Sequence, residues 1–137
     1  MALILDSSVL IAAERKGKNA KQALMEIALQ VAGEDVAVSA VTLLEMAHGA
    51  ARANTAERKA KRDEFLRELI AAVPVHPVTV AVALRAGRID GEANARGIQV
   101  PLADLLIGVT ALDLGYQVAT ANERHFKMIP GLTVVPI

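Results

Sequence analysis

Apolar residues along this chain fall into short unbroken runs and longer stretches at helical spacing. The short runs are ALIL (2–5), VAVS (36–39), YQVAT (116–120) and LTVVPI (132–137). Runs of this length without polar alternation predict strands buried on both faces, as in a parallel sheet. Between them lie helical segments. VLIAAER follows Ser7 and Ser8, either of which is suited to cap it, and Gly17 ends it. Residues 18–32 carry Ala20, Ala23, Leu24, Ile27, Ala28 and Val31 on one face, and TLLEMAHGAARA (42–53) continues the pattern. Thr55 caps AERKAKRDEFLRELIAA, whose apolar stripe reads Ala56, Ala60, Phe65, Leu66, Leu69 and Ile70. Pro74 and Pro77 bracket a short extended piece. Helical spacing resumes over 79–96, and Pro101 opens a turn into DLLIGVTALDLG (104–115), stopped by Gly115. Residues 122–128 read as a loop or helical turn. Strands alternating with helices predict an α/β fold: a three-layer α/β/α sandwich with a central, mostly parallel sheet. Residues 1–137 read as one domain without repeats or linkers.

Composition narrows the function. At 53% hydrophobic residues over 137 positions, a packed core is readily supplied. The absence of cysteine removes disulfide and thiolate chemistry and fits a reducing compartment. Asp6 interrupts the apolar start and no basic segment precedes it, so no signal peptide is expected. With no run approaching the ~20 apolar residues of a membrane span, the protein is expected to be soluble and cytoplasmic. Fifteen basic residues balance fifteen acidic ones, which argues against nucleic-acid coating by net charge. With only Phe65, Phe126 and Tyr116 aromatic, a base-stacking platform is not expected either.

The acidic residues carry more. Asp6 directly follows the first strand, at the carboxyl edge where ligands of open parallel sheets bind. Taken alone, it is balanced between helix cap and ligand. Glu45 sits among Val41, Leu43, Leu44, Met46 and Ala47, with Gly49 at i+4 clearing its face at a cost of about 1 kcal/mol in helix propensity. An exposed helix position is the ordinary alternative. Asp104 begins the next apolar helix, with Gly108 at i+4, and a helix-start role is equally ordinary for it. Asp113 points to the opposite side and is assigned to the surface. Thr120, Asn122, Glu123 and His125 follow the fourth strand. Several carboxylates at one sheet edge would repel one another unless a hard divalent cation joined them, and magnesium prefers such donors. Metal-assisted phosphodiester hydrolysis is the chemistry that follows.

Other candidates have plainer readings. Arg15, Lys16, Lys18 and Lys21 either meet the phosphates of a substrate or, as basic runs more often do, form a solvated surface. Arg58, Lys59, Lys61 and Arg62 alternate with acids as in ordinary exposed pairing. His48 lies near Glu45, and His76 reads as structural. The histidines lack zinc-ligand spacing. Gly87, Gly91 and Gly97 form no phosphate loop.

Four segments in order, ILDSSVLIA (4–12), SAVTLLEMAHG (39–49), ADLLIGVTALDLG (103–115) and TANERHF (120–126), resemble the motifs of the PIN domain. Their order and spacing are similar to those of the short bacterial toxins called VapC. The resemblance implies that Asp6, Glu45 and Asp104 bind Mg²⁺ or Mn²⁺, and that Asn122 takes the fourth catalytic position, Asp in many relatives. His125 stands where an acid is frequent. Both departures weaken a second ion site, since Asn brings no charge and His is a softer ligand. The implied activity is hydrolysis of RNA to 5′-phosphate and 3′-hydroxyl ends, with Ser7, Ser8 and Thr120 either orienting water or phosphate or merely capping; for Ser8 the cap is favoured. Asn122 is expected to position a carboxylate or a water. A VapB-like antitoxin is implied as partner, its C-terminal segment lying in an apolar groove supplied by Val9–Ile11 and the helices at 20–31 and 41–53, as is a homodimer within a larger complex. The alternatives are a noncatalytic PIN-fold module that binds RNA or protein and, remotely, a haloacid-dehalogenase-like phosphatase. The last needs an Asp where Ser8 stands.

Overall fold

Strands of two to four residues order the molecule. The computed structural model describes residues 2–137. Its strands are β1 (Leu3–Leu5), β2 (Val36–Ser39), β3 (Val75–His76), β4 (Gln117–Thr120) and β5 (Val134–Pro136). They form one five-stranded sheet in the order β3-β2-β1-β4-β5. Every pairing is parallel, so the sheet is more uniform than the mostly parallel one expected. The helices are α1 (Ser7–Arg15), α2 (Ala20–Gln30), α3 (Ala40–Ala51), α4 (Ala56–Ala72), α5 (Val80–Ala95) and α6 (Leu102–Leu114). Residues Phe126–Met128 make a 3₁₀ turn.

Alternation along the strands sends neighbours to opposite faces. Leu3, Leu5, Val38 and Ala119 pack with Val9, Leu10, Ala23, Ile27, Phe65 and Leu69 from α1, α2 and α4. Ile4, Ala37 and Val118 pack with Val82, Ala86, Leu105, Ile107 and Val109 from α5 and α6, and with Phe126 and Ile129. These are the two outer layers of the sandwich. Among the described residues, no helix is long and apolar enough to cross a membrane.

Local chemistry sets the helix ends. Asn19 and Gln22 form a reciprocal capping box at the start of α2. Thr55 and Thr79 accept from the amides of Arg58 and Val82. Gly115 closes α6 at φ +73°, a conformation that costs a side-chain-bearing residue more.

One expected stripe is shorter in the fold. In α4 only Phe65 and Leu69 are buried, while Ala56, Ala60 and Ile70 are exposed. Charge explains this, because the first half of α4 is studded with Lys, Arg and acid and pairs along its own surface, as in Lys59–Asp63 and Lys61–Glu57.

Candidate active site

The chain proceeds from β1 to β2 and β3 on one side and to β4 and β5 on the other, so the winding reverses between β1 and β4. Such a reversal leaves a crevice beyond the strands' carboxyl ends. Asp6 follows β1 there and Thr120 ends β4. The Asp6 amide donates to Ala119 O at 2.9 Å, which fixes the two strand ends against each other.

Asp6 occupies the N-cap position of α1, yet its side chain makes no capping bond. The carboxylate, in a residue only 5% exposed, accepts at Oδ2 from Ser8 Oγ (2.7 Å) and Thr120 Oγ1 (2.9 Å). Ser8 Oγ in turn accepts from the Ala121 amide at 3.1 Å, and Thr120 Oγ1 from the Asn122 amide at 2.9 Å. Ser8 is therefore not the cap of α1 that the sequence suggests. Its hydroxyl has a charged acceptor within reach, and a charge-assisted bond is stronger than a neutral cap.

Glu45 is half-buried on α3, and Ser7 Oγ donates to its Oε1 at 3.0 Å. Asp104 lies in the first turn of α6, whose N-cap position is Pro101. His125 Nδ1 sits 2.8 Å from Asp104 Oδ2, and because an ionised carboxylate can only accept, the bond between them needs a proton on Nδ1. Each acid thus uses one oxygen for a protein donor, and the second oxygen has no hydrogen-bonding partner among the described residues.

Burial raises Glu45, Ser7's hydrogen bond opposes it, and the charges of Asp6 and Asp104 push it further up. Burial likewise raises Asp104, with His125's bond opposing and Asp6's charge adding to the rise. These carboxylates feel one another, as expected for acids brought to one crevice from separate elements.

A cleft of about 340 Å³ opens over Asp6 and Asp104, lined also by Ser7, Ser8, Ile11, Ala12, Arg15, Asn122 and Phe126, while Glu45 lines a neighbouring cavity. Asn122 is exposed at its rim, and its side chain bonds no carboxylate among the described residues. Thr120 is completely buried. Glu123 pairs with Lys127 at 3.0 Å, outside this arrangement. Asp113 is exposed, as expected.

Gly49 and Gly108 differ. A Cβ at Gly49 would meet nothing within 4 Å, whereas one at Gly108 would lie 2.4 Å from Ile129 Cδ1 and 3.1 Å from Leu132 Cδ2. Gly108 therefore makes room for the core beneath the 3₁₀ turn. It does not clear a face for a ligand. Arg62 also departs from exposed pairing: its Nη1 donates to Gly49 O at 2.8 Å, and its Nε lies 3.9 Å from Glu14 Oε1. His48 is exposed, and His76 meets Tyr116 edge-on at 5.8 Å between ring centres. Sequence reasoning missed Ser7's hold on Glu45 and His125's hold on Asp104. The only signal for the latter was a His at a position where relatives often carry an acid.

As donors for a cation, these are three hard carboxylates with oxygens to spare. Among the described residues, no three His, Cys, Asp or Glu side chains stand gathered so that they could hold a metal ion between them without further ligands or movement. An open set suits magnesium, which keeps several waters and takes few protein ligands. The donor chemistry fits the ion.

Comparison with known proteins agrees with this architecture. The PIN domain model matches residues 3–132. Ribonuclease VapC1 of Rickettsia felis is 28% identical over 137 residues, covering all of this chain and 97% of that protein. A tRNA(fMet)-specific endonuclease VapC of Salmonella typhimurium is 29% identical over 97 residues, 71% of each chain. Among solved structures, VapBC2 from Rickettsia felis bound to a promoter DNA fragment superposes with a TM-score of 0.84 at 20% identity, over 100% of this chain and 99% of that one. FitAcB from Neisseria gonorrhoeae gives 0.76 at 25% identity, over 98% and 96%. With the family model matching nearly the whole length, this chain belongs to the PIN-domain family.

Proposed function

We propose that this chain is a divalent-metal-dependent endoribonuclease, the toxin of a toxin–antitoxin pair acting in the cytoplasm, with Mg²⁺ as its ion and Mn²⁺ able to replace it. The observation that carries this is the set of three oriented acids, each with one oxygen held by a protein donor and one left over. Such outer hydrogen bonds orient metal ligands and tune their basicity. The full-length relatives named as VapC ribonucleases support the substrate class.

Asp6, Glu45 and Asp104 would hold the ion. When bound, it supplies charge neutralisation at phosphate and activation of water near neutral pH. The protein's own part is positional. Ser8 and Thr120 fix Asp6, Ser7 fixes Glu45, and His125 holds Asp104 in place and opposes the upward push of burial on its pKa. Asn122, at the rim without a carboxylate partner, serves to orient a water or a phosphate oxygen.

An antitoxin segment fits a different surface. A small cavity of about 110 Å³ between α1 and α2 is lined by Val9, Ala12, Ala13, Ala23, Ile27 and Ile137, with Lys16, Lys18 and Glu26 at its edge. Of the groove expected from Val9–Ile11 and the helices at 20–31 and 41–53, this cavity includes Val9, Ala23 and Ile27, while Leu10 is fully buried. The solved neighbours described as VapBC complexes support an antitoxin partner. A homodimer inside the larger complex belongs to the same reading.

The test is cleavage of total cellular RNA by the purified chain with Mg²⁺ or Mn²⁺ against EDTA, beside Asp104→Asn, with new 5′-phosphate ends mapped. Discrete metal-dependent cuts absent from the variant are expected. No cuts together with no metal binding would favour the noncatalytic module.

A further inference from the structure

An RNA strand entering the cleft meets the carboxylates of Asp6 and Asp104, with Glu45 in the adjoining cavity, and repulsion between them and its phosphates must be offset by a placed cation. Among the side chains lining the cleft, Arg15 is the only cationic one. It is exposed at the end of α1 and makes no ion pair or side-chain hydrogen bond among the described residues. Ser7, Ser8, Ile11, Ala12 and Arg15 all line the cleft, one face of α1 at helical spacing. The acids stand at the amino end of that face and Arg15 at the other.

Arg15 and Ile11 also line a second cavity of about 140 Å³, shared with Glu14, Glu45, Met46, Gly49 and Arg62. The two cavities therefore adjoin along α1. Arg62 is committed there, to Gly49 O and towards Glu14, while Arg15 is not.

Resting on the ribonuclease reading, we propose that Arg15 binds a phosphate of the substrate RNA away from the scissile one, so that the strand lies along α1. From Ser8 to Arg15 the helix advances about 10 Å at 1.5 Å per residue. That is roughly three stacked nucleotides at about 3.4 Å each. Arg15 is thus a positioning residue that contributes to binding of the strand and not to the chemical step.

The experiment compares wild type with Arg15→Gln. In steady-state cleavage of a single-stranded RNA substrate, KM is expected to rise on the order of 10-fold, the worth of one charge-assisted contact, with kcat nearly unchanged. In the Asp104→Asn background, binding of a fluorescein-labelled single-stranded RNA is measured against salt, and Arg15→Gln is expected to reduce the slope of log K on log salt by about 0.7. An unaltered melting temperature checks the fold. An unchanged KM and salt slope, or a fall in kcat alone, would overturn the assignment of Arg15 while leaving the nuclease standing. Absence of metal-dependent cleavage by wild type would overturn the nuclease reading itself, and absence of RNA binding by every variant would overturn both.

Discussion

Thr120 donates its hydroxyl to Asp6 Oδ2 at 2.9 Å, joining residues 114 positions apart at the point where the sheet's winding reverses. The bond is buried, and with Ser8 it fixes the acid that ends β1. Thr120→Val keeps the shape and removes the donor. The variant is expected to lose about 1.5–3 kcal/mol of stability, the range for a hydrogen bond to a charged group, in chemical denaturation. Its affinity for Mn²⁺ should fall roughly 10–100-fold, as for other outer partners of metal ligands.

His125 acts on Asp104 in the same manner. Burial raises that acid, and the His125 hydrogen bond opposes the rise. In His125→Ala the opposition is gone, so Asp104 protonates at higher pH. The acidic limb of the kcat/KM profile should move to higher pH, with the plateau above it reduced less than the flank. A limb that stayed in place would contradict the pairing.

Glu45 gives a linkage test. Its folded-state pKa lies above the ordinary 4.5, chiefly through burial. The folded state then binds more protons in the window above 4.5, so stability falls as pH rises through it. In EDTA, Glu45→Gln is expected to melt higher than wild type at neutral pH, with the advantage vanishing below pH 4.5. Saturating Mg²⁺ should reverse the order, because an ion bound only by the folded wild type stabilises it. Thermal melts across pH with and without the ion check both signs.

The two glycines predict opposite outcomes. Gly49→Ala adds a methyl to a helix with no atom within 4 Å of it and should stabilise by up to about 1 kcal/mol. Gly108→Ala drives its Cβ to 2.4 Å from Ile129, which is itself 2% exposed. Overpacking of about 1–3 kcal/mol should outweigh the same propensity gain and leave a net loss. Urea denaturation of the two variants distinguishes them.

Much of this was legible in the chain. The apolar runs ending in Asp6, Ser39 and Thr120 locate β1, β2 and β4, because a strand buried on both faces has no choice but to be apolar throughout. The three acids stand out against apolar helices and strand ends. What periodicity cannot supply is which partner a polar group finds across the fold. Ser8 has the composition of a cap, yet its hydroxyl turns back to Asp6 two residues earlier and accepts from the Ala121 amide just beyond β4, a partner 113 positions away. Gly49 and Gly108 share the same i+4 relation to an acid, yet one opens on a cavity and the other on Phe126, Ile129 and Leu132. Arg62 lies in a salt-bridge pattern, and its bond to Gly49 O depends on how α4 packs on α3.

The most direct measurement of the central claim is calorimetric titration of Mn²⁺ into the wild-type chain and into Asp6→Asn, Glu45→Gln and Asp104→Asn. Saturable binding by wild type and a marked loss in each variant are expected, with the folds intact by circular dichroism. Absence of binding by wild type, or equal binding by all four proteins, would contradict it.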